Sequence, residues 1–227
     1  MTASPKSPSE VIPPSVFAFL RDLKRNNNRE WFNANKERYQ AEMRDPLLAF
    51  IAGFAPELAR IGKHLVADPS PVGGSLFRIY RDTRFARDKS PYKTAAGIYF
   101  GRSEGRDSPA PGFYLHVEPG DVFMGAGIWR PEPDVLKQVR DAIVAQPARW
   151  KRVRGELDAG ETLSRPPRGY DAEHPLVEDL KRKQFIVSHA FGEKDASKPG
   201  FSARYAAACR GAVPLIKFLT EAVGHDW

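Results

Sequence analysis

Only one cysteine, Cys209, occurs in the 227 residues, so no internal disulfide can staple this chain. Long apolar runs are also missing. The longest, Leu47 to Ala55, is interrupted by Gly53 and stops at Pro56, short of the roughly 18 residues that cross a bilayer. The first residues are rich in Ser and Pro and lack the apolar core of an export signal, so residues 1–14 read as a flexible tail. A lone thiol and no leader suit a reducing compartment, and the expected location is cytoplasmic. His64, His174, His189 and His225 are scattered along the chain, so no metal site is expected. Neither a Gly-x-Ser-x-Gly element nor an internal repeat is present, and Cys209 sits among alanines where an inert, packed thiol is the default. Covalent nucleophilic catalysis is therefore not expected.

What remains is an ordinary globular composition, 41% hydrophobic, sufficient to bury a full core, and residues 15–227 read as a single domain. The net charge is +7 and the isoelectric point near 9.5, which favours anionic partners. That charge is unevenly spread. Phe77 to Lys93 holds Arg78, Arg81, Arg84, Arg87, Lys89 and Lys93 against only Asp82 and Asp88, interleaved with aromatic residues. A second basic stretch runs from Arg149 to Arg154.

Ser15, after Pro13 and Pro14, precedes apolar residues at helical spacing and reads as the N-cap of a first helix. Asn27 with Glu30 resembles a capping box opening a second, and Asp45-Pro46 restarts or bends it. From Pro69 the texture changes to strand-like runs at 75–81, 95–101, 112–118 and 121–128. Pro119 and Gly120 occupy the central positions of a type II turn, which makes the last two runs an antiparallel hairpin. The stretch from Gly101 to Gly112 reads as a surface loop. A helix follows Pro133, then an irregular loop over 158–175, a short strand from Gln184 to His189, and a C-terminal helix kinked at Pro214. Helices, then antiparallel strands, then helices define an α+β fold.

The motif Arg78-x-x-Arg81-Asp82-x-Arg84-Phe85-x-x-x-Lys89-x-x-Tyr92-Lys93-Thr94 resembles the bacterial family catalogued as domain of unknown function 2461. The similarity extends through Gly112 to Gly120, Gly125 to Pro133 and Lys181 to Val187. It implies no catalytic assignment, because the family has no established activity, and it names no cofactor.

Chemistry has to be read from the residues. Arginine presents a planar fork suited to phosphate or carboxylate, and lysine adds a point charge, so Arg78, Arg81, Asp82, Arg84, Lys89, Tyr92 and Lys93 are candidate ligand contacts for an anionic small molecule. His116 and Glu118, two apart on a strand, share one face, where a carboxylate could orient a proton-carrying imidazole. With Tyr92 and Lys93 they are the candidate proton-transfer residues, although a half-buried histidine bonded to a neighbour is the plainer reading. Gly125 and Gly127 leave bare backbone on one strand face, and Trp129 reads as cover for the edge of the core. Three functions stay open: an anion pocket built on the sheet, with or without enzymatic activity; a nucleic-acid module in which both basic stretches follow phosphates while Tyr80, Phe85 or Tyr92 stack on bases; and an interaction domain in which Asp82 and Asp88 clamp the loop.

Overall fold

The computed structural model describes residues 7–84, 86–102 and 110–227. Its N-terminal quarter is helical. α1 (Pro14–Arg25) buries Val16, Phe17, Phe19, Leu20 and Leu23 along one face. It starts with Pro14 at its first position, where a missing N–H costs nothing, so Ser15 is no cap and its hydroxyl donates instead to the Glu42 carbonyl at 3.0 Å. α2 (Arg29–Ala34) is capped by Asn28, whose side chain accepts from the Trp31 amide at 2.9 Å. The cap therefore lies one residue later than the Asn27-Glu30 pattern suggests. A single turn α3 (Lys36–Arg38) and a π-helical turn (Tyr39–Arg44) lead into α4 (Asp45–Ile61), which begins at Asp45-Pro46 as the sequence suggests.

The segment expected to be a tail through Pro14 is packed from Ser9 onward. The Ser9 amide donates to the Ala49 carbonyl at 2.9 Å, Ile12 is fully buried, and a side chain at Gly53 would strike the Ser9 carbonyl oxygen at 2.3 Å. Ser and Pro lower the average hydrophobicity of the segment, yet the buried Ile12 and the Ser9 backbone seated at Gly53 anchor it. Residues 1–6 of that tail lie outside the described residues.

Four strands form one antiparallel sheet in sequence order: β1 (Ala96–Phe100), β2 (Gly112–Glu118), β3 (Asp121–Ile128) and β4 (Phe185–Phe191). The hairpin between β2 and β3 turns at Pro119-Gly120, with Gly120 at φ +85°, the conformation a type II turn requires at that position. The run at 75–81 is not a regular strand. Ser75 and Phe77 bond to β1 at 2.9 and 2.8 Å, and then Ile79 and Arg81 pair with Lys93 and Pro91, so the chain changes partner midway. Most of the loop expected between Gly101 and Gly112, residues 103–109, lies outside the described residues.

After the sheet come α5 (Pro133–Ala145), α6 (Pro147–Val153) and α7 (Val177–Leu180), and beyond β4 a turn α8 (Glu193–Ala196) and α9 (Phe201–Ala222), which continues through Pro214. Alternation on the strands sends Ile98, Leu115 and Met124, aligned across the sheet, toward α4 and α9. A second apolar cluster around Trp150, Phe185 and Phe218 packs α5 and α6 on the C-terminal half of α9. The fold is α+β, with helices on one face of the sheet. Among the described residues no helix is long and apolar enough to cross a membrane.

Candidate functional site

Among the described residues no helix covers the other face of the sheet, which forms a cleft of about 980 Å³. Strand register builds its floor in rows. Tyr99, Tyr114, Gly125 and Ser188 align across all four strands, and Gly97, His116, Phe123 and Ala190 form the next row. Glycines let the rings lie flat. A side chain at Gly97 would meet the Tyr114 ring and hydroxyl at 2.7 Å, and one at Gly112 would meet the Tyr99 hydroxyl at 2.6 Å. At Gly125 a Cβ would make only ordinary contacts at 3.8 Å and beyond, so the bare backbone expected there opens onto the cleft. Gly127, at φ +143°, has a different reason: its missing side chain admits the Phe185 carbonyl of β4.

Phe77 and Trp129 flank the floor and are 47% and 63% exposed. Trp129 thus lines the cleft instead of covering the core, with the Arg130 guanidinium 5.5 Å from its ring centre. At the β4 side Asp158 accepts from the Ser188 amide at 3.1 Å and from its hydroxyl at 2.5 Å.

His116 stacks on Phe123 with ring centres 4.7 Å apart, and its Nδ1 lies 3.1 Å from the Tyr114 hydroxyl. Its Nε2 lies 3.5 Å from Glu118 and 4.0 Å from Asp121. Glu118 is held from outside by Lys24 of α1 at 3.3 Å. The shared face of His116 and Glu118 is thus a real contact, and Tyr114 extends it by one more alternate residue. Burial pushes the phenols of Tyr99 and Tyr114 up to about 12, with the nearby Asp121 charge adding to the second. The Tyr99 hydroxyl donates to the Ala110 carbonyl.

The residues of the arginine-rich motif separate into three environments. Arg78 lines the cleft. Lys93 has its ammonium 5.6 Å from the centre of the Phe77 ring, and burial, then the Arg78 charge, depress its pKa. Among the described residues neither cation has an ion-pair partner. Arg81, Asp82, Arg84 and Lys89 instead bind one another's loop. Arg81 pairs with Asp88, Arg84 grips Asp82 at 2.8 and 3.1 Å, and Lys89 donates to the Thr83 carbonyl at 3.0 Å. The Ser90 hydroxyl and amide, and then Arg81, hold the Asp88 carboxyl down at about 2. Tyr92 lies in the core, 4% exposed and stacked on Phe32 at 4.0 Å. Phe85 lies outside the described residues.

The second basic stretch is also met by acids of the chain. Arg149 pairs with Glu221, Arg154 lies 3.7 Å from Asp179, and the Trp150 indole donates to Asp179 at 2.9 Å inside the second cluster. Sequence reasoning missed Tyr99, Tyr114, Phe123, Asp158 and Ser188. The alternation Tyr114-x-His116-x-Glu118 was the available signal, because it places three polar side chains on one strand face.

The chain belongs to the family described as conserved hypothetical protein DUF2461, whose profile matches residues 15–218. No curated protein and no solved structure matches it.

Proposed function

We propose that the open face of the sheet binds a small amphipathic anion, its flat apolar part on the aromatic floor and its carboxylate or phosphate beside Arg78 and Lys93. The observation that carries this reading is the coincidence of a cleft of about 980 Å³, near the upper end of small-ligand sites, with two cations that lack acidic partners among the described residues. Aromatic rings supply contact area at low entropic cost, and a cation in a partly dry site discriminates strongly for negative charge. The arginine-rich loop then acts mainly through the hairpin it braces, and Arg78 and Lys93 are the motif residues that meet ligand.

A nucleic-acid reading draws on the same motif. With Arg81, Arg84, Arg149 and Arg154 engaged by acids of the chain, fewer cations remain for phosphates.

Calorimetric titration with 2-naphthoate, its neutral amide and inorganic phosphate tests the proposal. The account expects 2-naphthoate to bind, the amide to bind at least about tenfold more weakly, and Arg78→Ala or Lys93→Ala to remove that preference, since a charge-assisted contact contributes about 1.5 to 3 kcal/mol. Equal affinity for acid and amide in the wild type would contradict it.

A further inference from the structure

The alternate residues Tyr114, His116 and Glu118 form a line along β2 that ends in the cleft, and each link has a defined direction. The Tyr114 phenol, protonated at neutral pH, lies 3.1 Å from Nδ1 of His116 and donates to it when the imidazole carries its proton on the other nitrogen. The histidine proton then belongs on Nε2, where Glu118 lies at 3.5 Å. A carboxylate on the far nitrogen fixes the tautomer. Asp121 at 4.0 Å and the stacked Phe123 complete the surroundings of the imidazole, and Lys24 holds Glu118 on its outer side. The Tyr114 ring lies against Phe77, which also neighbours the Tyr99 ring and the Lys93 ammonium. Tyr114 thus meets the cleft on the side where Arg78 and Lys93 stand.

We infer that Tyr114, His116 and Glu118 are a proton relay that deprotonates a hydroxyl group of the bound ligand, so that the cleft is a general-base site; this rests on the ligand-binding reading above. In the step, the ligand O–H bond breaks and its proton joins the Tyr114 oxygen while the Tyr114 proton passes to Nδ1 of His116. The electron pair stays on the ligand oxygen as an oxyanion, facing Lys93 and Arg78, and the positive charge appears on the imidazolium facing Glu118 and Asp121. No free phenolate forms, which matters because burial makes that species costly. Tyr114 is the group that touches ligand, and His116 and Glu118 act through it.

The probe is 4-nitrophenol, whose absorbance reports ionisation directly, added to the full chain at a pH where the free probe is mostly neutral. Bound to the wild type it should be at least about tenfold more ionised than when free, as expected for an acid whose anion gains cationic neighbours and a proton acceptor. His116→Gln, of similar length and polarity, should bind the probe and lose most of that excess ionisation, and Glu118→Gln should lose part of it. Melting curves confirm that each variant is folded, and Glu118, at the hairpin end, provides a second variant should His116→Gln unfold. Binding with no excess ionisation in the wild type, or the same excess in both variants, overturns the relay and leaves the binding cleft intact. Failure of the wild type to bind the probe at millimolar concentration overturns the cleft and the relay together.

Discussion

The side-chain amide of Asn27 exchanges two hydrogen bonds with the backbone of Tyr92, donating to its carbonyl at 3.0 Å and accepting from its amide nitrogen at 3.1 Å. The asparagine behaves as one more residue of a strand. It ties the start of α2 to the hairpin that carries the arginine-rich loop, and it holds Tyr92 where its ring stacks on Phe32.

Replacing Asn27 by Ala leaves the buried backbone of Tyr92 without these partners. The expected cost is about 1 to 3 kcal/mol, seen as a melting temperature several degrees lower, because each unsatisfied buried group carries its desolvation penalty. A melting temperature unchanged from wild type would show that the hairpin is held by packing alone.

Arg84→Ala tests the division of the motif. Its side chain is 78% exposed and engages Asp82 within the same loop, so its removal should leave both the melting temperature and 2-naphthoate affinity nearly unchanged. Lys93→Ala, beside the cleft, should weaken the ligand without unfolding the protein. Loss of anion binding in Arg84→Ala would return the site to the loop.

That division was only partly legible in the sequence. Alternation, the Pro119-Gly120 turn and the helical spacing fix the α+β order, because they are local signals. The density of arginine was equally visible, but the Asp88 and Asp82 contacts depend on how the loop closes, which residue spacing does not state. The cleft was hidden for a different reason. Its floor row, Tyr99, Tyr114, Gly125 and Ser188, comes from four strands and exists only once their register is set. Gly125 and His116 could be noticed singly, and their place in adjacent rows on one face of the sheet could not.

Alkaline pH should reveal the two tyrosines of the floor. Folding raises their pKa from the ordinary value of 10.0 to about 12, so the neutral phenol is favoured in the folded state. Their contribution is complete below about pH 10 and is lost as pH rises from about 10 toward about 12. Melting curves across that window should fall less steeply for Tyr99→Phe than for wild type. Identical slopes would show that Tyr99 titrates normally in the folded protein.

The central claim, that the open face of the sheet takes an amphipathic anion, is tested most directly at Gly125. A side chain there meets nothing closer than 3.8 Å at its Cβ and projects into the cleft, so Gly125→Leu should fold at least as well as wild type, within about 1 kcal/mol on the scale of strand preference. Backbone amide NMR of both proteins titrated with 2-naphthoate is the deciding measurement. The account predicts shifts in the wild type at Tyr99, Tyr114, Gly125 and Ser188, and none in folded Gly125→Leu. Shifts confined to Arg81 through Lys89, or the same binding in both proteins, would contradict it.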